Sequence, residues 1–403
     1  MFYLRILIVS HEFPPHVFGG IGIFCYNLAN ALAKRGIRVT VMAGCPSDAI
    51  KARLIELTET SNNLEIIRVP RINFPPSHFW YQMMNINAVS ELISNFDIVH
   101  GQDCAAFPMI SYCKKTNPKI PWVVTIHTNP TSQLYYALKS LMSLEGSFRD
   151  FITYIAGFPL WDVSLRGHAK FANALVAVSQ SLSTEILNCY EINPEKLSII
   201  HTGVDIAGLE EIAKSNSVHN SHSDEIQMFY AGRLYWGKGI LHLLKSLVYL
   251  TRKFGFKDFQ LHVFGCGPLE HRVKEFISSL NLTENVRLRG FVQHQELRGS
   301  MATSDIVCVP SLYEACPVGM IEAMALGKPV AAFNQPFSRE LLDMPAGMLS
   351  KSIEAYARSL YSLCISENLR KDIGARLRTH ARKKFDIKVV ADNYLKLYRQ
   401  LLS

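Results

Sequence analysis

The sequence predicts an α/β protein made of two successive strand–helix series. Three observations carry this. Near-continuous apolar runs, such as Leu4-Arg5-Ile6-Leu7-Ile8-Val9-Ser10, mark strands buried on both faces. Loops rich in Gly or Pro lead from those runs into stretches with helical spacing of apolar residues. A polar tract rich in Ser, Asn and His, residues 213–227, separates the first series from the second.

The first run is followed by His11-Glu12-Phe13-Pro14-Pro15-His16-Val17-Phe18-Gly19-Gly20, which cannot be helical at its proline pair. A helix is predicted over about residues 23–35, stopped by Gly36, and then a strand over 37–43. Gly19 and Gly20 let backbone approach a ligand closely. They do not form the Gly-x-Gly-x-x-Gly fingerprint of a dinucleotide site. Two more predicted strands, Asp97-Ile98-Val99-His100 and Trp122-Val123-Val124-Thr125-Ile126-His127, each end in a histidine. A histidine at a strand's carboxyl end in an open α/β sheet faces the ligand crevice.

Residues 131–165 are crowded with aromatic and aliphatic side chains, among them Tyr135, Tyr136, Phe148, Phe151 and Trp161. They read as a packed helical excursion over the sheet, with an amphipathic surface for a lipid-like acceptor or a membrane as the alternative. Strands resume at 174–179 and 197–200. In the second series, strands are predicted at 228–231, 260–264, 286–288, 306–309 and 329–333. Between the first of these and its helix stands Gly232-Arg233-Leu234-Tyr235-Trp236-Gly237-Lys238-Gly239. Arg233 and Lys238, at a strand's carboxyl end among glycines, suit phosphate groups.

The chain has 403 residues, 48% hydrophobic and 19% charged, enough for two to three ordinary cores. No apolar run is long enough to span a membrane, and no signal peptide is read at the start. Nine dispersed cysteines, without a Cys-x-x-Cys pair, read as reduced thiols in a cytoplasmic protein. The net charge of +8 is uneven: sixteen basic against fifteen acidic residues through Asp205, then 26 against 19. Part of the excess is Arg376, Arg378, Arg382, Lys383, Lys384 and Lys388, which read as a solvated helix face. No aromatic residues interleave with these charges, so nucleic acid is set aside.

The stretch Glu314-Ala315-Cys316-Pro317-Val318-Gly319-Met320-Ile321-Glu322 carries the chemistry. Two carboxylates are separated by seven residues. The first falls in a loop after a strand. Pro317 suits the first turn of a helix and Gly327 the position beyond its end. The amides of Val318, Gly319 and Met320 then point into the loop, and with the helix dipole they form an anion site. Two acceptors flanking an anion cradle match a phosphorylated sugar.

Together these motifs resemble the retaining GT-B glycosyltransferases of family 4. The resemblance rests on Pro14-Pro15 with Gly19-Gly20, Thr125-Ile126-His127, Thr202-Gly203-Val204-Asp205, Gly232-Arg233-Leu234 with Lys238-Gly239, Gly265-Cys266-Gly267-Pro268 and the Glu314/Glu322 pair. It implies two Rossmann-like domains facing across a cleft. These are an acceptor-side domain at 1–205 and a nucleotide-sugar domain at 206–385, with a terminal helix, 386–403, crossing back to the first. It implies transfer from a nucleotide-diphospho-sugar to an acceptor hydroxyl with retention, without a metal. Arg233 and Lys238 would neutralise the diphosphate, and Glu322 would accept from the ribose. Glu314 would contact the donor sugar, and Val318, Gly319 and Met320 would hold sugar and phosphate. Backbone at Phe291 and Val292 would meet the base. Gly19 and Gly20 would touch phosphates or acceptor, and His127 would lie near the reacting sugar. The acceptor would be a sugar, glycan or lipid-linked group, with peripheral contact at the inner face of a membrane as a further expectation. A sugar-nucleotide epimerase or a non-catalytic binding protein shares the architecture. Three positions depart from the family pattern: His201 for Asn, Asn173 for Asp, and 334–338 without a glycine pair.

Overall fold

A computed structural model describes residues 4–17, 19–46, 58–61, 63–71, 77–103, 106–143, 145–217, 225–342 and 349–403. The chain divides into two compact units. One comprises Met1–Leu134, Thr153–Gly203 and Ile387–Ser403; the other comprises Tyr135–Ile152 and Val204–Asp386.

The first unit holds an eight-stranded sheet. Its strands are β1 (Arg5–Ser10), β2 (Arg38–Pro46), β3 (Thr58–Ser61), β4 (Leu64–Arg71), β5 (Ile98–Gln102), β6 (Trp122–Ile126), β7 (Ala174–Ala177) and β8 (Leu197–Ile199). Their order is β3-β4-β2-β1-β5-β6-β7-β8, and all pairs but β3–β4 are parallel. Ile6, Leu7, Ile8 and Val9 of β1 are completely buried, as a central parallel strand with helices on both faces demands. The chain winds to one side after β1 and to the other from β5, so the order reverses between β1 and β5.

The second unit holds a six-stranded, wholly parallel sheet. Its strands are β9 (Ile226–Ala231), β10 (Phe259–Phe264), β11 (Val286–Gly290), β12 (Ile306–Val309), β13 (Val330–Phe333) and β14 (Leu349–Ser350). The order is β11-β10-β9-β12-β13-β14, which reverses between β9 and β12. Ligands of open α/β sheets bind outside the strand ends at such a reversal.

The terminal helix Ile387–Leu402 belongs to the first unit. Its Val390, Ala391, Tyr394, Leu395 and Tyr398 join that unit's core, beside Phe24 and Leu28 of the helix Gly20–Ala33. Arg35 fastens it from outside, with Nε 2.7 Å from Asp392 Oδ1 and Nη2 donating to the Lys388 carbonyl.

Two sequence readings shift. The polar tract is not wholly a linker: the helix Ile206–Ser217 covers its first five residues, while residues 218–224 lie outside the described set. The aromatic excursion is divided, with residues 135–152 grouped with the second unit. Glu145 explains the attachment. Its Oε2 accepts from Trp236 Nε1 at 3.3 Å and its Oε1 pairs with Lys245. Tyr136 stacks on Tyr313, ring centres 4.6 Å apart.

In the basic stretch, Arg376, Arg382, Lys383, Lys384 and Lys388 are exposed, as a solvated helix face requires, and three of its arginines also make contacts. Arg376 pairs with Asp372 and Arg382 with Glu210, and Arg378 donates to the Leu326 carbonyl. Among the described residues no helix is long and apolar enough to cross a membrane, and the cysteines are free thiols.

Candidate functional site

In the second unit the chemistry-bearing loops follow β9 and β12, the two strands at the reversal. The β9 loop is locked by backbone contact. Leu234 N donates to Cys266 O, and Leu269 N to Leu234 O. Gly265 has φ +117°, and a Cβ there would stand 2.1 Å from the Gly232 carbonyl oxygen, so only glycine lets the two loops meet. The same loop touches the end of β12. Gly239, at φ +68°, would drive a Cβ to 1.9 Å from the Pro310 carbonyl oxygen, and Leu312 N donates to Gly237 O at 2.8 Å.

This lock brings Lys238 to Glu314. Lys238 Nζ pairs with Glu314 Oε1, and Ser311 Oγ donates to the same oxygen at 3.0 Å. Glu314 Oε2 has no partner among the described residues. Arg233 is exposed, its guanidinium over the Tyr235 ring at 5.7 Å.

The helix Val318–Ala325 begins beside Glu314. Pro317 is its N-cap, with extended backbone, rather than a residue of its first turn. Met320 N donates to Pro317 O at 3.1 Å, so its amide is consumed within the helix and cannot serve an anion. The amides of Val318 and Gly319 remain unbonded among the described residues, and a Cβ on Gly319 would meet nothing within 4 Å. The helix closes at Gly327, whose amide donates to Met324 O while Lys328 N donates to Ala323 O, the paired bonds of a glycine-terminated helix.

Glu322 lies one turn into this helix and is 2% exposed. Arg298 places Nη2 at 2.6 Å and Nε at 2.8 Å from Oε1, and His294 Nε2 is 3.4 Å from the same oxygen. Burial opposes ionisation of Glu322, but the hydrogen bond from His294 and the charge of Arg298 outweigh it and hold the carboxyl below its ordinary range. Oε2 has no partner among the described residues. Arg298 and His294 are absent from the sequence reading. Their signal is a basic pair four residues apart on one face of the helix His294–Thr303.

Phe291 and Val292 follow β11 directly. Phe291 is 75% exposed, and Val292 rests half-buried against the core.

In the first unit, His127 follows β6. Its backbone amide donates to Asp103 Oδ1 at 3.3 Å, its Nε2 is 3.0 Å from Gln102 Oε1, and its ring packs on Phe24. Burial, aided by nearby His11, pushes its pKa down to about 3, so the ring is neutral. His100 departs from expectation. It sits within β5, not at its end, and is 0% exposed beneath the terminal helix. Gly19 donates its amide to the buried carboxylate of Glu12 at 3.0 Å, so that amide already has an anion of its own. Gly20 opens the helix Gly20–Ala33.

Comparison with known families accounts for both units. Residues 18–207 match the family described as Glycosyltransferase Family 4, and residues 211–380 match Glycosyl transferases group 1. The chain belongs to this glycosyltransferase family. A relative described as an uncharacterised glycosyltransferase of Methanocaldococcus jannaschii is 24% identical over 81% of this chain and 80% of its own. The structure of sucrose-phosphate synthase from Thermosynechococcus elongatus is similar at a TM-score of 0.77, with 18% identity and 99% of both chains covered. That of Anabaena HepE in complex with UDP and glucose has a TM-score of 0.72 and 17% identity, covering 98% of this chain and 99% of that one. The fold is GT-B. Asn173, expected above to depart from the family pattern, has full structural use: its Oδ1 accepts from Trp122 N at 3.0 Å and Lys114 Nζ at 2.8 Å.

Proposed function

We propose that this glycosyltransferase takes its sugar from a nucleoside-diphosphate donor held by the second unit and transfers it to an acceptor hydroxyl with retention of configuration. The observation that carries this reading is the pair of carboxylates at the sheet reversal. Glu314 and Glu322 flank a helix N-terminus with two amides unbonded among the described residues, each keeps one oxygen without a partner among them, and Lys238 pairs with Glu314. The bound UDP and glucose of the HepE structure make the same class of donor a reasonable reading here.

In this account Glu322 accepts hydrogen bonds from the ribose hydroxyls through Oε2 while Arg298 holds Oε1. Lys238, Arg233 and the amides of Val318 and Gly319 face the diphosphate, Glu314 accepts from sugar hydroxyls, and backbone at Phe291 and Val292 meets the base. In the first unit, His127 serves the reacting sugar. The C1–O bond to the leaving phosphate breaks as the acceptor oxygen bonds to C1 on the same face. The acceptor proton passes to a leaving phosphate oxygen. Charge gathers on the diphosphate, so the cations and amides facing it favour the transition state over the ground state. We assign that role to them in place of a divalent metal. The acceptor is a sugar, glycan or lipid-linked hydroxyl, and dispersed thiols favour a reducing compartment such as the cytoplasm.

Thermal shift with UDP, GDP and ADP, and with their glucose and mannose conjugates, tests the donor class. One nucleotide series should stabilise the protein by about 2.7 kcal/mol at a hundred times its Kd, equally in EDTA. Stabilisation by none would overturn the reading, and stabilisation only with a divalent metal would overturn its metal-free form.

A further inference from the structure

His127 ends a buried polar chain that begins on the terminal helix, and every member lies in the first unit. Tyr398 Oη is 2.7 Å from His100 Nδ1. His100 Nε2 is 2.7 Å from Thr125 Oγ1 and 3.1 Å from Gln102 Nε2. Gln102 Oε1 is 3.0 Å from His127 Nε2. Tyr398, His100, Thr125 and Gln102 are all 0% exposed.

A carboxamide offers an accepting oxygen at one end and a donating nitrogen at the other. With Oε1 turned to His127, the ring proton of His127 must sit on Nε2. With Nε2 turned to His100, His100 must present a lone pair at its own Nε2. The proton of His100 then sits on Nδ1 and is donated to Tyr398 Oη. Burial keeps both rings neutral, each pushed down to about 3, so neither can escape the constraint by taking a second proton. His127 Nδ1 is left as a lone pair without a partner among the described residues.

We propose that Gln102 and Tyr398 are positioning residues that fix His127 as the Nε2-protonated tautomer, so that Nδ1 can only accept a hydrogen bond from a substrate hydroxyl. This deepens the reading of His127 as the group serving the reacting sugar and rests on it. The assignment of tautomer is independent of any turnover. The terminal helix is thereby coupled to a site residue by the direction of its hydrogen bonds as well as by packing.

The test is long-range ¹H–¹⁵N correlation on the full chain with ¹⁵N-labelled histidine at pH 7, with His127→Asn identifying the signal. His127 should appear neutral, with its proton on Nε2. Tyr398→Phe removes the acceptor at His100 Nδ1. The His100 proton should then move to Nε2, where Thr125 accepts it, the Gln102 amide should turn over, and His127 should switch to the Nδ1-protonated form. Gln102→Leu, which covers a failure of the first variant to fold, should release the ring to a mixture of tautomers. A protonated Nδ1 or an imidazolium in the parent protein would overturn the proposal. So would a His127 tautomer unchanged in the folded variants, the result of a purely structural role. Failure of nucleotide binding with the predicted tautomers intact would overturn the donor reading and leave this chain of hydrogen bonds standing.

Discussion

Arg298 holds Glu322 by a single oxygen. Both Nε and Nη2 of the guanidinium reach Oε1, at 2.8 and 2.6 Å, inside a site where the carboxylate is almost wholly buried. The pair fixes the carboxylate's orientation and keeps it ionised, while its second oxygen remains available. Arg298→Leu should therefore destabilise the protein by about 3–5 kcal/mol, because it strands a buried charge. Arg298→Leu combined with Glu322→Leu should be less destabilised than the single variant. Urea denaturation of the parent and the two variants measures both. A double variant no better than Arg298→Leu would show that the charge is not the cause.

Stability should fall on mild acidification, and two histidines of the first unit should carry part of that fall. His100 and His127 have folded pKa values of about 3 against an ordinary 6.5. Between those values the unfolded chain binds protons that the folded chain refuses. Their contribution is therefore complete above about pH 6.5 and lost as pH falls toward about 3. Each accounts for up to roughly 1.4 kcal/mol per pH unit. Glu322, held below its ordinary range, adds a loss only lower down, as pH drops through its folded value. Denaturation midpoints at pH 5 and 7 should differ less in His100→Gln and His127→Gln than in the parent. Equal differences would contradict the buried neutral state.

Gly239→Ala should damage both stability and the packing of the β9 loop. The left-handed backbone alone costs about 1–2 kcal/mol for a residue with a Cβ, and the collision with the Pro310 carbonyl adds to it. Gly319→Ala, at the start of the helix where a Cβ meets open space, should cost far less. Melting temperatures of the two variants make the comparison, and similar losses would refute the lock between the β9 and β12 loops.

Much of the fold is legible because buried parallel strands leave an unmistakable apolar record. The runs at residues 4–10 and 122–127 become central strands within a residue or two. Glu314 and Glu322 are legible because strand, proline, apolar helix and glycine follow one another locally. The bonding of the Met320 amide is not legible in the sequence, because the proline's place as cap or first turn decides which carbonyl reaches it, a one-residue matter that composition does not carry. Arg298 lies 24 residues from Glu322, and Tyr398 lies 298 residues from His100. Neither partnership leaves a local pattern. The placement of residues 135–152 turns on one carboxylate, Glu145, finding Trp236 and Lys245 across about a hundred positions of chain.

Division of labour between the two carboxylates is the central claim, and isothermal calorimetry with the stabilising nucleoside diphosphate tests it most directly. Glu322→Gln should weaken binding by about 1.5–3 kcal/mol, roughly ten- to a hundredfold, since a charge-assisted acceptor for the ribose is lost. Glu314→Gln should not weaken the bare nucleotide, because its partner is the sugar and its loss frees Lys238 for phosphate. Its effect should appear as a lower kcat in transfer. Equal weakening by the two substitutions, or none by either, would contradict the account.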